Sequence, residues 1–254
     1  MNIVLEYLKY IFVAKGRHGT HSPFVYDLVD KCFRTDVPAD IQHKFLEHRQ
    51  GLMQEDSVIQ VNDLGAGSKR MDNQRIVKTI AKTSGSSPKY AKILFQIAHY
   101  YQPKNTLELG TSVGLGTIRL AEGSKKGNVF TVEGCEATQM VAKLHLEKFG
   151  IDNVYYFNQS FEAFLTENEA IFDVVFIDGD HKGKKLARQL ELLEKCTHDE
   201  TIFILDDIRW TSDMLMTWKE ICKQTNYHLT IDLFRMGIIV KREHQQKEHF
   251  VVRY

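Results

Sequence analysis

From Asn105 onward the chain alternates short apolar runs with stretches whose apolar residues recur at helical spacing. That pattern predicts strands over 104–109, 128–132, 153–157, 172–178 and 201–206, with helices near 115–122, 136–149, 160–168 and 182–196. Strands alternating with helices imply a parallel sheet covered on both faces. A further helix is expected near 212–224. The β-rich runs Tyr227–Phe234 and Gly237–Lys241 then follow, joined by a link that permits only an antiparallel hairpin. The expected fold class is α/β, a doubly wound sheet closed by a C-terminal antiparallel hairpin.

Ahead of this core the rhythm is helical. Val4, Leu5, Leu8, Ile11 and Phe12 predict an amphipathic helix over 2–14, and further helices are read over 24–33 and 40–51. Between the first two lies Lys15–Pro23, whose glycines and proline break a helix. Its pair His18 and His21 has metal-like spacing but no further ligands nearby, so a structural role is expected. The run Val61–Ser68 also ends in Gly-x-Gly, but a polar stretch without a helical apolar face follows it. It reads as a connector or lid. Ser86, Ser87 and Pro88 open the next helix, whose buried stripe is Ala91, Leu94, Phe95 and Ala98. The expected division is a mainly helical extension or lid over 1–87 and a binding domain over 88–254.

Composition narrows the class. Lys+Arg and Asp+Glu are both 33, which argues against nucleic acid as the main partner. The four cysteines are scattered without a C-x-x-C pair, as expected of free thiols in a reducing cytoplasm. No leader peptide and no membrane span are read, so a cytoplasmic protein is expected.

The chemistry gathers at the strand tips, where ligands of open α/β sheets bind. After the first strand come Gly110, Gly114 and Gly116, a turn that sets bare backbone N–H groups against a ligand. The dinucleotide fingerprint fails, because its third glycine would be Arg119. The second strand ends at Glu133, where an acid can accept both hydroxyls of a ribose. The third ends near Ser160, which can meet an adenine amine or cap the next helix. The fourth delivers Asp178 and the fifth delivers Asp206 and Asp207. Three converging carboxylates repel unless something positive sits among them, and hard oxygen ligands suit Mg²⁺ or another divalent cation. Alternatively, Asp207 caps the following helix and Asp178 holds a loop amide.

The pattern Glu-x-Gly-x-x-x-Gly-x-Gly over Glu108–Gly116 resembles motif I of the class I methyltransferases that use S-adenosyl-L-methionine (SAM), whose fold is a Rossmann-like sheet ending in such a hairpin. The resemblance spans about residues 88–241. It implies cofactor contacts at Glu108, Gly110, Thr111, Ser112, Gly114, Gly116, Glu133, Gly134, Gln159, Ser160 and Asp178. The acids after the fourth and fifth strands resemble the metal site of catechol-type O-methyltransferases, which implies Asp178, Asp206 and Asp207 as ligands. That family has Asp-Asn where this chain has Asp206-Asp207, and a lysine base where this chain has His181. A histidine can take a hydroxyl proton near neutral pH. The whole chain, with Arg17–Phe24 early and Asp206–Trp210 late, is also similar to a group of bacterial class I methyltransferases, which implies no particular substrate.

The expected function is methyl transfer from SAM to a hydroxyl of a small, catechol-like molecule, assisted by a divalent metal, with His181 and Asp178 catalytic. Two rivals stand beside it, a metal-independent N-methyltransferase and a non-catalytic SAM-binding module. Arg209 and Trp210 are candidates for the acceptor pocket, Trp210 equally for the core. The N-terminal extension is expected to cover the site or to build a homodimer contact.

Overall fold

The computed structural model describes residues 1–16, 22–61, 74–83 and 87–254. The His18/His21 pair, Ser86, most of the loop 15–23 and the whole loop 65–70 with its Gly-x-Gly lie outside the described residues. The helices are α1 (Ile3–Val13), α2 (Pro23–Asp27, continued by a π-helical turn at Leu28–Cys32), α3 (Ala39–Gln54), α4 (Val77–Thr83), α5 (Pro88–Tyr101), α6 (Leu115–Gly123), α7 (Glu136–Lys148), α8 (Phe161–Glu167), α9 (Gly183–Leu193) and α10 (Ser212–Ile221). The strands are β1 (Val58–Gln60), β2 (Gln74–Ile76), β3 (Asn105–Leu109), β4 (Asn128–Glu133), β5 (Val154–Asn158), β6 (Phe172–Ile177), β7 (Thr197–Leu205), β8 (Leu229–Asp232), β9 (Gly237–Val240) and β10 (Glu248–Val251). The fold class is α/β with mostly parallel strand pairing, as the sequence pattern predicts.

The chain folds as two compact units. One comprises Asp36–Asn168, the other Met1–Thr35 with Glu169–Tyr254. In the first, β3, β4 and β5 pair in parallel, with Leu109 opposite Val132 and Glu133 opposite Asn158. Local chemistry sets the ends of its helices. Pro88 opens α5, the left-handed Gln102 closes it, and the Ser160 hydroxyl accepts the Ala163 N–H at the start of α8. At Gly123 a Cβ would come within 2.6 Å of Ala98 on α5, so glycine permits the close approach of α5 and α6.

Sequence periodicity did not reveal how closely the helices before residue 88 join this unit. Phe45 and Leu52 of α3 and Val77, Ile80 and Ala81 of α4 share one buried cluster with Val113, Leu115, Ile118 and Leu146. Arg119 of α6 is buried beneath them, its guanidinium 3.9 Å from the Phe45 ring centre and bonded to Gln42 at 2.6 Å. Lys44 pairs with the buried Glu122 at 2.7 Å. β1 and β2 form a short antiparallel pair that the sequence pattern does not predict.

In the other unit β6 and β7 are parallel, β7 and β9 antiparallel, and β9 and β8 antiparallel. The expected hairpin is therefore present, but β10 pairs in parallel along β8. β8 is not an edge, and the hairpin does not close this side. Only the final chain segment returning to the sheet could supply that strand. α1 packs here, with Tyr10 donating to the Val252 carbonyl and the rings of Tyr7 and Tyr10 against Phe234. Among the described residues no helix is long and apolar enough to cross a membrane.

Phe45 has no exposed surface. Phe45→Ala is expected to lower unfolding free energy by about 3–5 kcal/mol, the usual cost of emptying a buried aromatic site. Denaturant titration checks this; a loss under about 1 kcal/mol would mean that α3 is not part of this core.

Candidate functional site

One cluster of candidate residues surrounds the turn from β3 into α6. Three of its residues hold positive φ, Gly110 at 111°, Ser112 at 46° and Gly114 at 85°. At Gly114 a Cβ would stand 2.8 Å from Leu146 and 3.1 Å from Ala142, so both space and conformation demand glycine. Gly110 N–H donates to the Val132 carbonyl, and the Gly114 carbonyl accepts from Ile118 N–H as α6 begins. Gly116 lies in the first turn of α6.

Two carboxylates hold this turn, from opposite sides of the dielectric boundary. Glu133, half-buried at the end of β4, accepts Ser112 N–H at 2.9 Å and Cys135 N–H at 3.0 Å, one on each oxygen. Gly134 lies between them, half-buried, and Asn158 Nδ2 donates to the Glu133 carbonyl at 2.9 Å. Glu108 is wholly buried, and its Oε2 accepts the Thr117 and Thr131 hydroxyls, each at 2.6 Å. Thr131 thereby spends its proton on Glu108, so Thr111 is the donor in the 2.6 Å contact between Thr111 and Thr131. Burial pushes the Glu108 carboxyl up to about 7; the Glu133 charge adds to this and the two threonine hydroxyls oppose it. Glu108 shapes the turn from below, while Glu133 faces partly outward. Gln159 is half-buried beyond β5, and Ser160 is exposed while capping α8.

A second cluster of candidate residues lies in the other unit, beyond β6 and β7. Asp178 follows β6 and Asp206 follows β7, where Asp206 N–H donates to the Ile177 carbonyl at 3.0 Å. Asp207 adopts positive φ, 52°, a sparsely populated conformation for a side-chain-bearing residue. Asp178, His181 and Asp207 each bring one ligand atom to within 4.8 Å of the others. Asp206 does not join them. Its Oδ1 and Oδ2 lie 3.2 and 3.3 Å from Nε and Nη2 of Arg235, and its Oδ1 also accepts Asp207 N–H at 2.8 Å. Arg235 Nε is 3.0 Å from Asp207 Oδ1, while Asp207 Oδ2 is 3.9 Å from His181 Nε2. Burial raises the Asp207 carboxyl and the Asp206 charge adds to it, with Arg235 and His181 opposing.

Arg235 is the residue that strand-tip reading missed. It sits in the link between β8 and β9, and its carbonyl accepts Ile208 N–H at 3.0 Å. β9 runs antiparallel to β7, with Leu205 opposite Gly237, so the link necessarily falls at the tip of β7. That signal is present in the sequence once the hairpin is placed. The candidate acceptor residues separate. Arg209 makes a two-pronged pair with Asp232 at 2.9 and 2.7 Å and donates to the Phe234 carbonyl, a tie that leaves it structural. Trp210 is 64% exposed, with its ring centre 6.0 Å from that of His181, so it is not a core residue.

Residues 107–208 match the family model described as Methyltransferase domain. Over 100 residues the chain is 31% identical to a catechol O-methyltransferase of Niastella koreensis, covering 37% of this chain and 45% of that protein. The chain spans about half the length of the curated relatives it matches. Among solved structures, cofactor-bound Rv0187 from MTB superposes with a TM-score of 0.59 at 19% identity, covering 88% of this chain and 99% of that one. The O-methyltransferase from Bacillus cereus in complex with SAH gives a TM-score of 0.55 at 19% identity, covering 84% and 95%. Over residues 107–208 the chain thus resembles methyltransferases, and its fold is Rossmann-like, as in these solved structures.

Glu108 gives a measurable pH signature. Its folded value of about 7 lies above the ordinary carboxyl value of 4.5, so the folded chain binds this proton more tightly than the unfolded chain. The resulting stability is complete below the lower value and is lost as pH rises through the upper one. Between about pH 4.5 and 7, Glu108→Gln is expected to remove a decline in unfolding free energy of up to about 3 kcal/mol. Denaturant titrations across that range check it; identical slopes for both proteins would place the proton elsewhere.

Proposed function

We propose that the chain transfers the methyl group of SAM to a hydroxyl of a small molecule, with the turn 110–116 and Glu133 holding the cofactor and the rim at Asp178, His181 and Asp207 serving the acceptor. The observation that carries this reading is the Glu133 carboxylate bound to Ser112 N–H and Cys135 N–H beside a turn with three positive φ angles. A carboxylate oxygen can accept more than one hydrogen bond, so the Glu133 carboxylate can also accept ribose hydroxyls. The catechol O-methyltransferase among the relatives supports a hydroxyl acceptor. The proposed cofactor contacts are those of the turn, Gly110, Thr111, Ser112, Gly114 and Gly116, with Glu133, Gly134, Gln159, Ser160 and Asp178; Glu108 serves them from behind.

SAM supplies a methyl group already activated on a sulfonium, so the protein's work is orientation and proton removal. His181 takes the hydroxyl proton, and Asp207, 3.9 Å away, stabilises the imidazolium that forms. Trp210 offers an exposed aromatic face beside His181 against which a flat acceptor can stack.

A divalent cation on Asp178, Asp206 and Asp207 fits this rim poorly. Both Asp206 oxygens and one of Asp207 already face Arg235. A dication that shared Asp207 with the Arg235 guanidinium would be repelled by that fixed positive charge. The donors left to it are Asp178, His181 and Asp207.

Labelled SAM incubated with a panel of catechols, phenols and amines tests the reading. Methylated oxygen is expected, and Glu133→Ala should raise the SAM dissociation constant at least about tenfold, since charge-assisted hydrogen bonds contribute about 1.5–3 kcal/mol each. His181→Ala should lower kcat about 10²–10⁴-fold with little change in SAM affinity. Methylated nitrogen would favour the amine reading, and SAM binding without any transfer would favour a binding module.

A further inference from the structure

We propose that Arg235 is the built-in cation of the acidic rim, meeting the need for positive charge that a divalent ion would otherwise meet. The inference rests on the methyltransferase reading for its purpose but on separate observations for its content. Asp206 is fully shielded from solvent at its side chain and Asp207 is 13% exposed, so neither carboxylate can rely on water to disperse its charge. A guanidinium meets that need with directed bonds. Arg235 reaches Asp206 through two nitrogens and Asp207 through one of them.

The backbone fixes this arrangement independently of the side chains. The register of β7 on β9 brings the β8–β9 link to the end of β7 that carries the two aspartates. Ile208 N–H then bonds the Arg235 carbonyl, and the left-handed Phe234 turns the link. Trp218 packs against Gly237, where a Cβ would come within 2.6 Å of its ring, and so holds the start of β9. The guanidinium is thus delivered by a turn anchored on both sides. Its charge lowers the affinity of the remaining donors, Asp178, His181 and Asp207, for a second cation. The acceptor site is metal-independent on this account, and Arg235 is a positioning residue that sets the orientation of Asp207 toward His181.

Mn²⁺ titration followed by electron paramagnetic resonance tests this on the full chain without requiring turnover. The wild-type protein is expected to show no saturable Mn²⁺ binding, and its methyl transfer should survive EDTA. Arg235→Met should bind Mn²⁺ at least about tenfold more tightly, because it removes the charge and keeps an apolar stem of similar length. Adding Asp178→Asn to that variant should abolish the gain. Arg235→Lys, which keeps the charge, should behave as wild type and guards against a Met variant that fails to fold. Saturable Mn²⁺ binding by the wild type, or an Arg235→Met protein that binds no better, overturns the proposal. SAM calorimetry on the same preparations reports the methyltransferase reading separately: a chain that binds no SAM fails that reading while the Mn²⁺ result stands.

Discussion

Inside the unit formed by Asp36–Asn168, the Glu108 side chain accepts two threonine hydroxyls at 2.6 Å with almost no solvent contact. Those threonines belong to different elements, Thr117 to α6 and Thr131 to β4, while Glu108 itself is on β3. One carboxyl therefore ties together the strand that enters the turn, the helix that leaves it and the neighbouring strand that carries Glu133. The turn can hold positive φ at three positions because both its ends are pinned in this way. Burial raises the Glu108 carboxyl to about 7, which eases the desolvation cost of a buried charge as pH falls.

The opposite electrostatic solution operates beyond β7. There two acids are adjacent in sequence, and both lie against a guanidinium. The chain provides one from its own hairpin link. Asp207, strained at positive φ, then has one oxygen toward Arg235 and the other toward His181. A carboxylate so divided orients an imidazole without being free to rotate. The two clusters differ in what offsets a buried acid, two threonine hydroxyls at Glu108 and a guanidinium at Asp206.

The helices that precede the sheet carry more of the fold than their position suggests. α3 and α4 are packed beneath Val113 and Leu115, directly behind the glycine turn. Burying Phe45 against the Arg119 guanidinium couples this layer to α6. The turn's geometry therefore depends on residues far from any motif.

Much of this was legible in the sequence. Alternation of apolar runs with 3.6-residue periodicity placed β3 to β7 and α6 to α10 within a few residues, because burial on both faces leaves a strong periodic signature. The glycines at 110, 114 and 116 and the acids at 133, 178, 206 and 207 were visible because strand tips define where ligands meet an α/β sheet. The sequence alone could not show that β10 returns alongside β8, since a four-residue polar-apolar run has no signature beyond its partner. Nor could it show that Arg209 is bound to Asp232 while Arg235 faces Asp206, because the pairing of charges depends on side-chain direction, not spacing. Composition and periodicity decide which surfaces must be buried. Which guanidinium meets which carboxylate is decided only when the register of β7 on β9 brings distant segments to one end of the sheet.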